Sequence, residues 1–364
     1  MKFICSKCGI IEEISTRKSK CQCGGLWKLD FNPPKFDLSL IDENEWSIFR
    51  YRKFIPLEGE YWRDVSLGEG RTPIIRFDKD LLLKMDYFMP TLSFKDRGAV
   101  VLISHCKSIG VDSVVQDSSG NAGNSIAAYS AKAGIECEIF LPEGTPLKKI
   151  NMIKSHKAKV NIVPGSRDNC ANVCREKVDK EGKYYANHVY NPLFYEGTKT
   201  YIYEAYEQLG RIPKNIYIPL GNGTLFIGII KALEEFIESG IIENMPKITA
   251  VQSENCAPLF KAKIIGDNKP VKIKQKPTMA EGIAIGEPMR GEEILEYAYK
   301  YNIKIITAPE NRIIEAREAL AEKGVYVEHT TAATYAAYLQ QKEINGKIKD
   351  CLLPICGAGL KSDY

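Results

Sequence analysis

From about residue 74 onward the chain alternates short apolar runs with stretches of helical periodicity. Val111 to Gln116 reads as a strand and Ser125 to Gly134 as the helix that follows it. Glu136 to Leu141 is the next strand, closed by Pro142-Glu143-Gly144, and Lys159 to Val163 another, before a helical Arg167 to Gly182. Asn215 to Leu220, Lys247 to Ser253, Ile303 to Thr307 and Cys351 to Cys356 read as further strands. Helices are expected over Leu225 to Ser239 and over Glu310 to Lys323, the second stopping at Gly324. Such alternation predicts parallel sheets with helices on both faces, an α/β fold. In open sheets of this kind ligands bind outside the carboxyl ends of the strands. Three glycine-containing segments fall there.

The start of the chain has a different pattern. Cys5-Ser6-Lys7-Cys8-Gly9 and Cys21-Gln22-Cys23-Gly24-Gly25 are two cysteine pairs, each followed by glycine. Two such knuckles suit one tetrahedral zinc with Cys5, Cys8, Cys21 and Cys23 as ligands, and a pair of redox thiols is the other reading. Four thiolates leave no open position, so the metal is expected to be structural. A small zinc ribbon over residues 1–30 is therefore expected, with Pro33-Pro34 leading out of it. Residues 31–364 then form the core.

Composition adds boundaries. The 364 residues are 44% hydrophobic and 26% charged, as in ordinary globular proteins, and long enough for two or three domains. The net charge of +4 is spread along the chain, which argues against a nucleic-acid surface. No apolar run is long enough to span a membrane, and Met1-Lys2-Phe3-Ile4-Cys5 does not read as a signal peptide. Eleven cysteines, an odd number, fit reduced thiols and a cytoplasmic location. Cys106, Cys137, Cys170, Cys174, Cys256 and Cys351 read as buried fillers. His105, His156 and His329 lack metal spacing, and His329 is held only as a loose candidate at a substrate face.

Four places carry candidate chemistry. Lys95 lies in Pro90-Thr91-Leu92-Ser93-Phe94-Lys95-Asp96-Arg97-Gly98, where a partly buried amine can act as a nucleophile. Gly221-Asn222-Gly223-Thr224 joins a strand to a helix, so it is either an anion cradle of backbone N–H groups or a plain tight turn. It has neither a Walker lysine nor a dinucleotide fingerprint. Ser118-Ser119-Gly120-Asn121-Ala122-Gly123 offers hydroxyls, N–H groups and an amide to a carboxylate and a phenolate oxygen, or is an ordinary capped helix start. Cys356, before Gly357-Ala358-Gly359, is a thiol at a strand end, the usual place of a buried structural cysteine.

Taken in order, LGEGRTP, PTLSFKDRG, SSGNAG, GNGT, AEGIAIGEP and GAGLK resemble the pyridoxal-phosphate enzymes of the tryptophan-synthase β fold type, and among them the threonine synthases. A zinc ribbon also precedes the core in some threonine synthase relatives. The resemblance implies a fold-type II core of two open parallel-sheet domains, with about residues 100–200 as a smaller mobile domain, and a homodimer. It implies that Lys95 forms the Schiff base with pyridoxal 5′-phosphate and shuttles the Cα proton. Asn121 would hold the phenolate oxygen, with Ser118, Ser119, Gly120 and Ala122 around the substrate carboxylate. Gly221, Asn222, Gly223 and Thr224 would cradle the phosphate, and Cys356 would face the pyridine nitrogen. A neutral partner there favours elimination and replacement over transamination.

The resemblance departs at the substrate. Threonine synthases bind the phosphate of O-phosphohomoserine with an asparagine-serine pair and an arginine before a Glu-Gly pair. Here the run is Asn187-His188-Val189-Tyr190-Asn191-Pro192-Leu193-Phe194-Tyr195-Glu196-Gly197, with Phe194 at the arginine and His188 at the serine. Loss of a guanidinium from a dianion site is a severe change; His188 and Lys199 are the candidates to compensate it, but a lysine is common enough at this position to carry no meaning. Leu92 replaces a glycine usual before the lysine. The expected activity is therefore β-elimination or β-replacement on a small amino acid of the serine, threonine, O-phosphoserine or cysteine class. Threonine formation from O-phosphohomoserine through a rearranged phosphate site is the alternative, and a non-catalytic zinc-ribbon adaptor the outside one.

Overall fold

The computed structural model describes residues 1–165 and 167–362, the side chains of 167 and 168 excepted, so the last two residues of the expected core lie outside the described residues. The strands run Lys2–Cys5 (β1), Ile11–Glu13 (β2), Trp27–Asp30 (β3), Ile74–Arg76 (β4), Leu81–Lys84 (β5), Ser113–Gln116 (β6) and Glu136–Pro142 (β7). They continue as Lys159–Val163 (β8), Tyr184–Tyr185 (β9), Asn215–Pro219 (β10), Lys247–Ser253 (β11), Lys304–Ala308 (β12) and Cys351–Pro354 (β13). The first helices are Lys95–Ser108 (α1), Asn121–Ala133 (α2), Leu147–Ser155 (α3), Arg167–Glu181 (α4), Leu193–Thr198 (α5) and Thr200–Leu209 (α6). Then come Thr224–Glu238 (α7), Pro258–Ile265 (α8), Gly291–Lys300 (α9), Ile313–Ala321 (α10) and His329–Asn345 (α11).

The chain divides into two units, Met1–Arg71 with Lys95–Thr198, and Thr72–Phe94 with Lys199–Asp363. In the first unit, β1 pairs antiparallel with β2 and β3 to make the ribbon sheet. The other sheet there has the order β8-β7-β6-β9, all parallel. Its buried strands are runs such as Ile139-Phe140-Leu141, because a sheet covered on both faces needs no alternation. The ribbon is packed into this unit rather than tethered to it: Leu26 joins a core of Val115, Phe140, Cys170, Cys174, Val178, Tyr185, Val189 and Tyr190.

The second unit carries a six-stranded sheet of order β12-β11-β10-β13-β5-β4. Every pair is parallel except β4–β5 at the edge, so the expectation of a parallel sheet needs that one exception. Its core gathers Leu81, Leu83, Val251, Leu353 and Ile355 with the alanine-rich face of α11. Small side chains there let α11 lie close to the strands.

Candidate active site

In the first unit, Lys95 is the first residue of α1 and is half-buried. Its Nζ lies 5.9 Å from the centre of the Phe194 ring. Two glycines make that proximity possible. A Cβ on Gly98 would sit 2.3 Å from the Phe194 ring, and one on Gly197 would sit 1.9 Å from the carbonyl oxygen of Arg97. α5 therefore crosses the first turn of α1 backbone to backbone, with Phe194 fully buried. Beside Lys95, Asp96 accepts a hydrogen bond from Ser125 on α2, so the first turn of α1 is tied to the second turn of α2.

That tie brings the Ser118–Gly123 loop to the same end of the unit. The loop leaves the carboxyl end of β6 and enters α2 at Gly120, which has no side-chain cap. A Cβ on Gly123 would lie 1.8 Å from the Ser118 carbonyl oxygen, a contact that only glycine survives. The uncapped start of a 13-residue helix presents N–H groups and the positive end of its dipole, a setting for a carboxylate. Asn121 is the first residue of that helix and is half-buried.

The same rim holds a polar cluster at the ends of the adjacent parallel strands β6 and β9. Gln116 Oε1 accepts the backbone N–H of Asp117 at 3.1 Å, and Gln116 Nε2 lies 3.5 Å from His188 Nδ1. Asp117 Oδ1 accepts from Tyr185 Oη at 2.6 Å and from Asn187 Nδ2 at 2.7 Å. The His188 ring sits edge-on to Phe194 with 5.8 Å between centres. Further in, Glu69 is buried and accepts from Tyr129 Oη at 3.0 Å, from Leu67 N–H at 2.9 Å and from Ser66 Oγ at 3.0 Å. Burial pushes its carboxyl up to about 7, the hydrogen bonds opposing the rise.

In the second unit, β10 leads through Gly221 and Asn222 into α7, whose N-cap is Gly223 at φ 78°, again with no side-chain cap. The left-handed turn aims the start of a 15-residue helix outward from the carboxyl end of the sheet. Cys356 is buried just past β13. Its N–H donates to Thr331 Oγ1 and its carbonyl accepts the N–H of Phe94, both at 3.0 Å. The backbone before Lys95 in sequence is thus stitched to the Cys356 segment, and Leu92 there holds φ 60°. That left-handed φ is the reason a glycine is at home in this position, and the leucine bears the strain.

A profile described as "Pyridoxal-phosphate dependent enzyme" matches residues 65–357. The chain belongs to this pyridoxal-phosphate-dependent enzyme family. The threonine synthase of Methanocaldococcus jannaschii is 31% identical over 347 residues, covering 91% of this chain and 85% of that protein. That of Methanosarcina acetivorans is 31% identical over 348 residues, with 91% and 84% covered. Among solved structures, a processed threonine deaminase from Solanum lycopersicum superposes with TM-score 0.69 at 21% identity, covering 91% of this chain and 88% of that one. Maize serine racemase gives TM-score 0.68 at 20% identity, with 80% and 88% covered. This is therefore a threonine synthase-like, pyridoxal-phosphate-dependent lyase with a fold-type II core.

The residues present fit the family's cofactor. The uncapped α7 start suits a phosphate, because its donors come from the backbone and no side chain fills the turn. Lys95 is a half-buried amine against an aromatic face, whereas the deeply buried Lys84 and Lys199 are each held by a carboxylate. Lys84 Nζ meets Glu204 at 2.6 Å and Lys199 Nζ meets Glu235 at 2.8 Å. Lys199, a residue common at its position, is thus paired with Glu235. At the ribbon, Cys5–Cys23, Cys8–Cys21 and Cys8–Cys23 sulfurs are 3.4, 3.6 and 3.4 Å apart. All four sulfurs lie within 4.8 Å of one another. Tetrahedral zinc with Zn–S near 2.3 Å sets sulfurs about 3.8 Å apart, so the set fits one such ion.

Cys106, Cys137, Cys170, Cys174, Cys256 and Cys351 are buried and outside any disulfide. Burial pushes the Cys137 thiol up to about 12, as expected of an inert filler. His105 is likewise a core residue, burial holding it down at about 4. His329 starts α11, with Nε2 3.5 Å from Arg317. Residues to which the sequence gives no role are Gln116, Asp117, Glu69 and Tyr129. The one available signal was Glu69 itself, an acid between two glycines in a motif already singled out.

Proposed function

We propose that the enzyme carries out β-elimination or β-replacement on a small substituted amino acid of the serine, threonine, O-phosphoserine or cysteine class. The observation that carries this reading is Phe194, packed on Gly98 and fully buried where a phosphate-binding guanidinium belongs. A neutral aromatic edge cannot meet a dianion. The bound cofactor supplies the electron sink that acidifies Cα of the amino acid. Lys95 would hold the cofactor through Nζ and, once the substrate amine has displaced it, the freed amine would move the proton at Cα. Asn121 binds the phenolate oxygen, and the Ser118–Ala122 backbone and hydroxyls orient the substrate carboxylate. The N–H groups of Gly221, Asn222, Gly223 and Thr224 anchor the phosphate, and Cys356 leaves the pyridine nitrogen without a negative partner. Domain closure by about residues 100–200, a homodimer and a cytoplasmic location belong to the same reading and rest on the family resemblance.

A comparative assay tests it. The holoenzyme is expected to form 2-oxo acid from L-serine or L-threonine, or to exchange the β-substituent, faster than it releases phosphate from O-phosphohomoserine. Rapid phosphate release with threonine formation would overturn the reading in favour of threonine synthesis.

Cys5, Cys8, Cys21 and Cys23 bind a structural zinc in this proposal. Because Leu26 sits in the core beside β6, stripping the metal with a chelator should lower the thermal midpoint of the whole first unit and restore it on zinc addition. An unchanged midpoint with one zinc per chain removed would count against that role.

A further inference from the structure

The ribbon reaches toward the substrate loop through its last knuckle. Leu26 directly follows Cys21–Gly25, and the two knuckles hold its backbone. Its carbonyl accepts the N–H of Ser6 at 3.0 Å, and the carbonyl of Gly25 accepts the N–H of Cys21 at 2.9 Å. Gly25 is pressed so close to the first knuckle that a Cβ there would lie 2.5 Å from Cys5 Sγ. The Leu26 side chain is buried in the cluster that contains Tyr185, Val189 and Tyr190. Tyr185 is the last residue of β9, and its ring meets that of Tyr190 edge-on with 5.2 Å between centres.

Beyond Tyr185 the direction of each hydrogen bond is fixed. Asn187 Oδ1 accepts the backbone N–H of Val189 at 2.8 Å and that of Tyr190 at 3.3 Å, so the amide cannot be turned around. Its Nδ2 donates to Tyr185 Oη at 3.0 Å and to Asp117 Oδ1 at 2.7 Å, which uses both hydrogens. The Arg175 guanidinium beside the same hydroxyl has only donors to offer. Tyr185 Oη therefore gives its own hydrogen to Asp117 Oδ1, 2.6 Å away. One carboxylate oxygen receives two donors that have no freedom to turn away. On its other side, the Asp117 N–H donates to Gln116 Oε1 at 3.1 Å. The next residue is Ser118, whose carbonyl is wedged against Gly123 in the first turn of α2. Asp117 thus fixes where the loop begins.

We propose that Asp117 is a positioning residue for the Ser118–Ala122 loop and that the N-terminal ribbon supports it through Leu26 and Tyr185. The ribbon then serves binding of the substrate carboxylate in the first unit, and leaves the phosphate anchor at α7 in the second unit untouched. This rests on the assignment of Ser118–Ala122 to the substrate carboxylate made above. Hydrogen bonds weaken steeply with distance and angle, so a small shift of the loop start lowers substrate affinity.

The test uses the holoenzyme with two substitutions, Tyr185→Phe and Leu26→Val, alone and combined. Tyr185→Phe keeps the ring and deletes the donor. KM for L-serine is expected to rise about 10-fold, with kcat changed less than about 3-fold and cofactor affinity unchanged. Leu26→Val should raise KM about 3-fold, and the double variant should fall short of the product of the two because both act through the same link. Amide hydrogen exchange of the segment 117–124 needs no substrate, and is expected to be about 10-fold faster in Tyr185→Phe than in the wild type. Unchanged exchange in Tyr185→Phe, equal losses of cofactor and substrate affinity, or a lowered thermal midpoint with KM unmoved would overturn the proposal. Faster exchange in Tyr185→Phe with no response of the wild type to L-serine would overturn the substrate reading, while the support of the loop by Asp117 and Tyr185 stands.

Discussion

The starts of α2 and α7 solve similar problems with different means. Both helices follow a parallel strand, and both begin without a side-chain cap. At α2 the approach is polar, with Ser118, Ser119 and Asn121 around the turn, and the turn is locked by a glycine pressed on a backbone carbonyl. At α7 the approach is nearly bare backbone, with a left-handed Gly223 whose Cβ would meet the tip of Ile294 at 2.5 Å. Side chains can discriminate among groups on a ligand, whereas bare N–H groups read little beyond negative charge. The first suits a substrate that must be recognised, and the second a phosphate that only needs to be anchored.

The sharpest way to break the comparison is at the two glycines. Gly123→Ala drives a Cβ into the Ser118 carbonyl, which cannot step aside without moving the loop. A loss of about 3 kcal/mol or more in stability is expected, together with loss of substrate binding. Gly223→Ala meets only the flexible end of a side chain, so its cost is the left-handed backbone, about 1–2 kcal/mol. Denaturant unfolding of the two variants, with cofactor titration, separates them: cofactor affinity should fall for Gly223→Ala and substrate affinity for Gly123→Ala. Equal effects on both ligands would erase the distinction.

A second test acts on α2 alone. Tyr129, in the last two turns of α2, donates to the buried Glu69. The Glu69 carboxyl, ordinarily near 4.5, is raised to about 7 by burial. The folded protein therefore holds this proton where the unfolded chain has released it. Its contribution to stability is complete below about pH 4.5 and is lost as pH rises through about 7, amounting to about 3 kcal/mol. Glu69→Gln removes the titration, so the stability of the variant relative to wild type should climb by that order between pH 5 and pH 8. Parallel stability curves would contradict it.

Much of this was legible in the chain. The strands Glu136–Pro142 and Lys247–Ser253 follow the apolar runs within a residue or so, because parallel strands buried on both faces must be apolar throughout, and the edge strand Lys159–Val163, largely exposed, matches its run as well. The glycines of GNGT and SSGNAG marked the helix starts for the same steric reasons that the structure shows. The helix at Lys95 was not legible as such, since Ala99 to Ile103 is buried all round and carries no amphipathic period. Nor were Glu69–Tyr129 and Gln116–His188, whose partners are 60 and 72 residues apart and leave no local pattern. The departure at Phe194 was visible, but its meaning needed Gly98 beside it.

The central claim is that Lys95, at the start of α1, carries the cofactor. Borohydride reduction of the holoenzyme followed by peptide mapping tests it most directly, with Lys95→Ala alongside. The account predicts a stable pyridoxyl adduct on the peptide containing Lys95, and loss of both the adduct and the visible absorption band in Lys95→Ala. An adduct on Lys84, Lys199 or Lys361, or a band unchanged in Lys95→Ala, would contradict it.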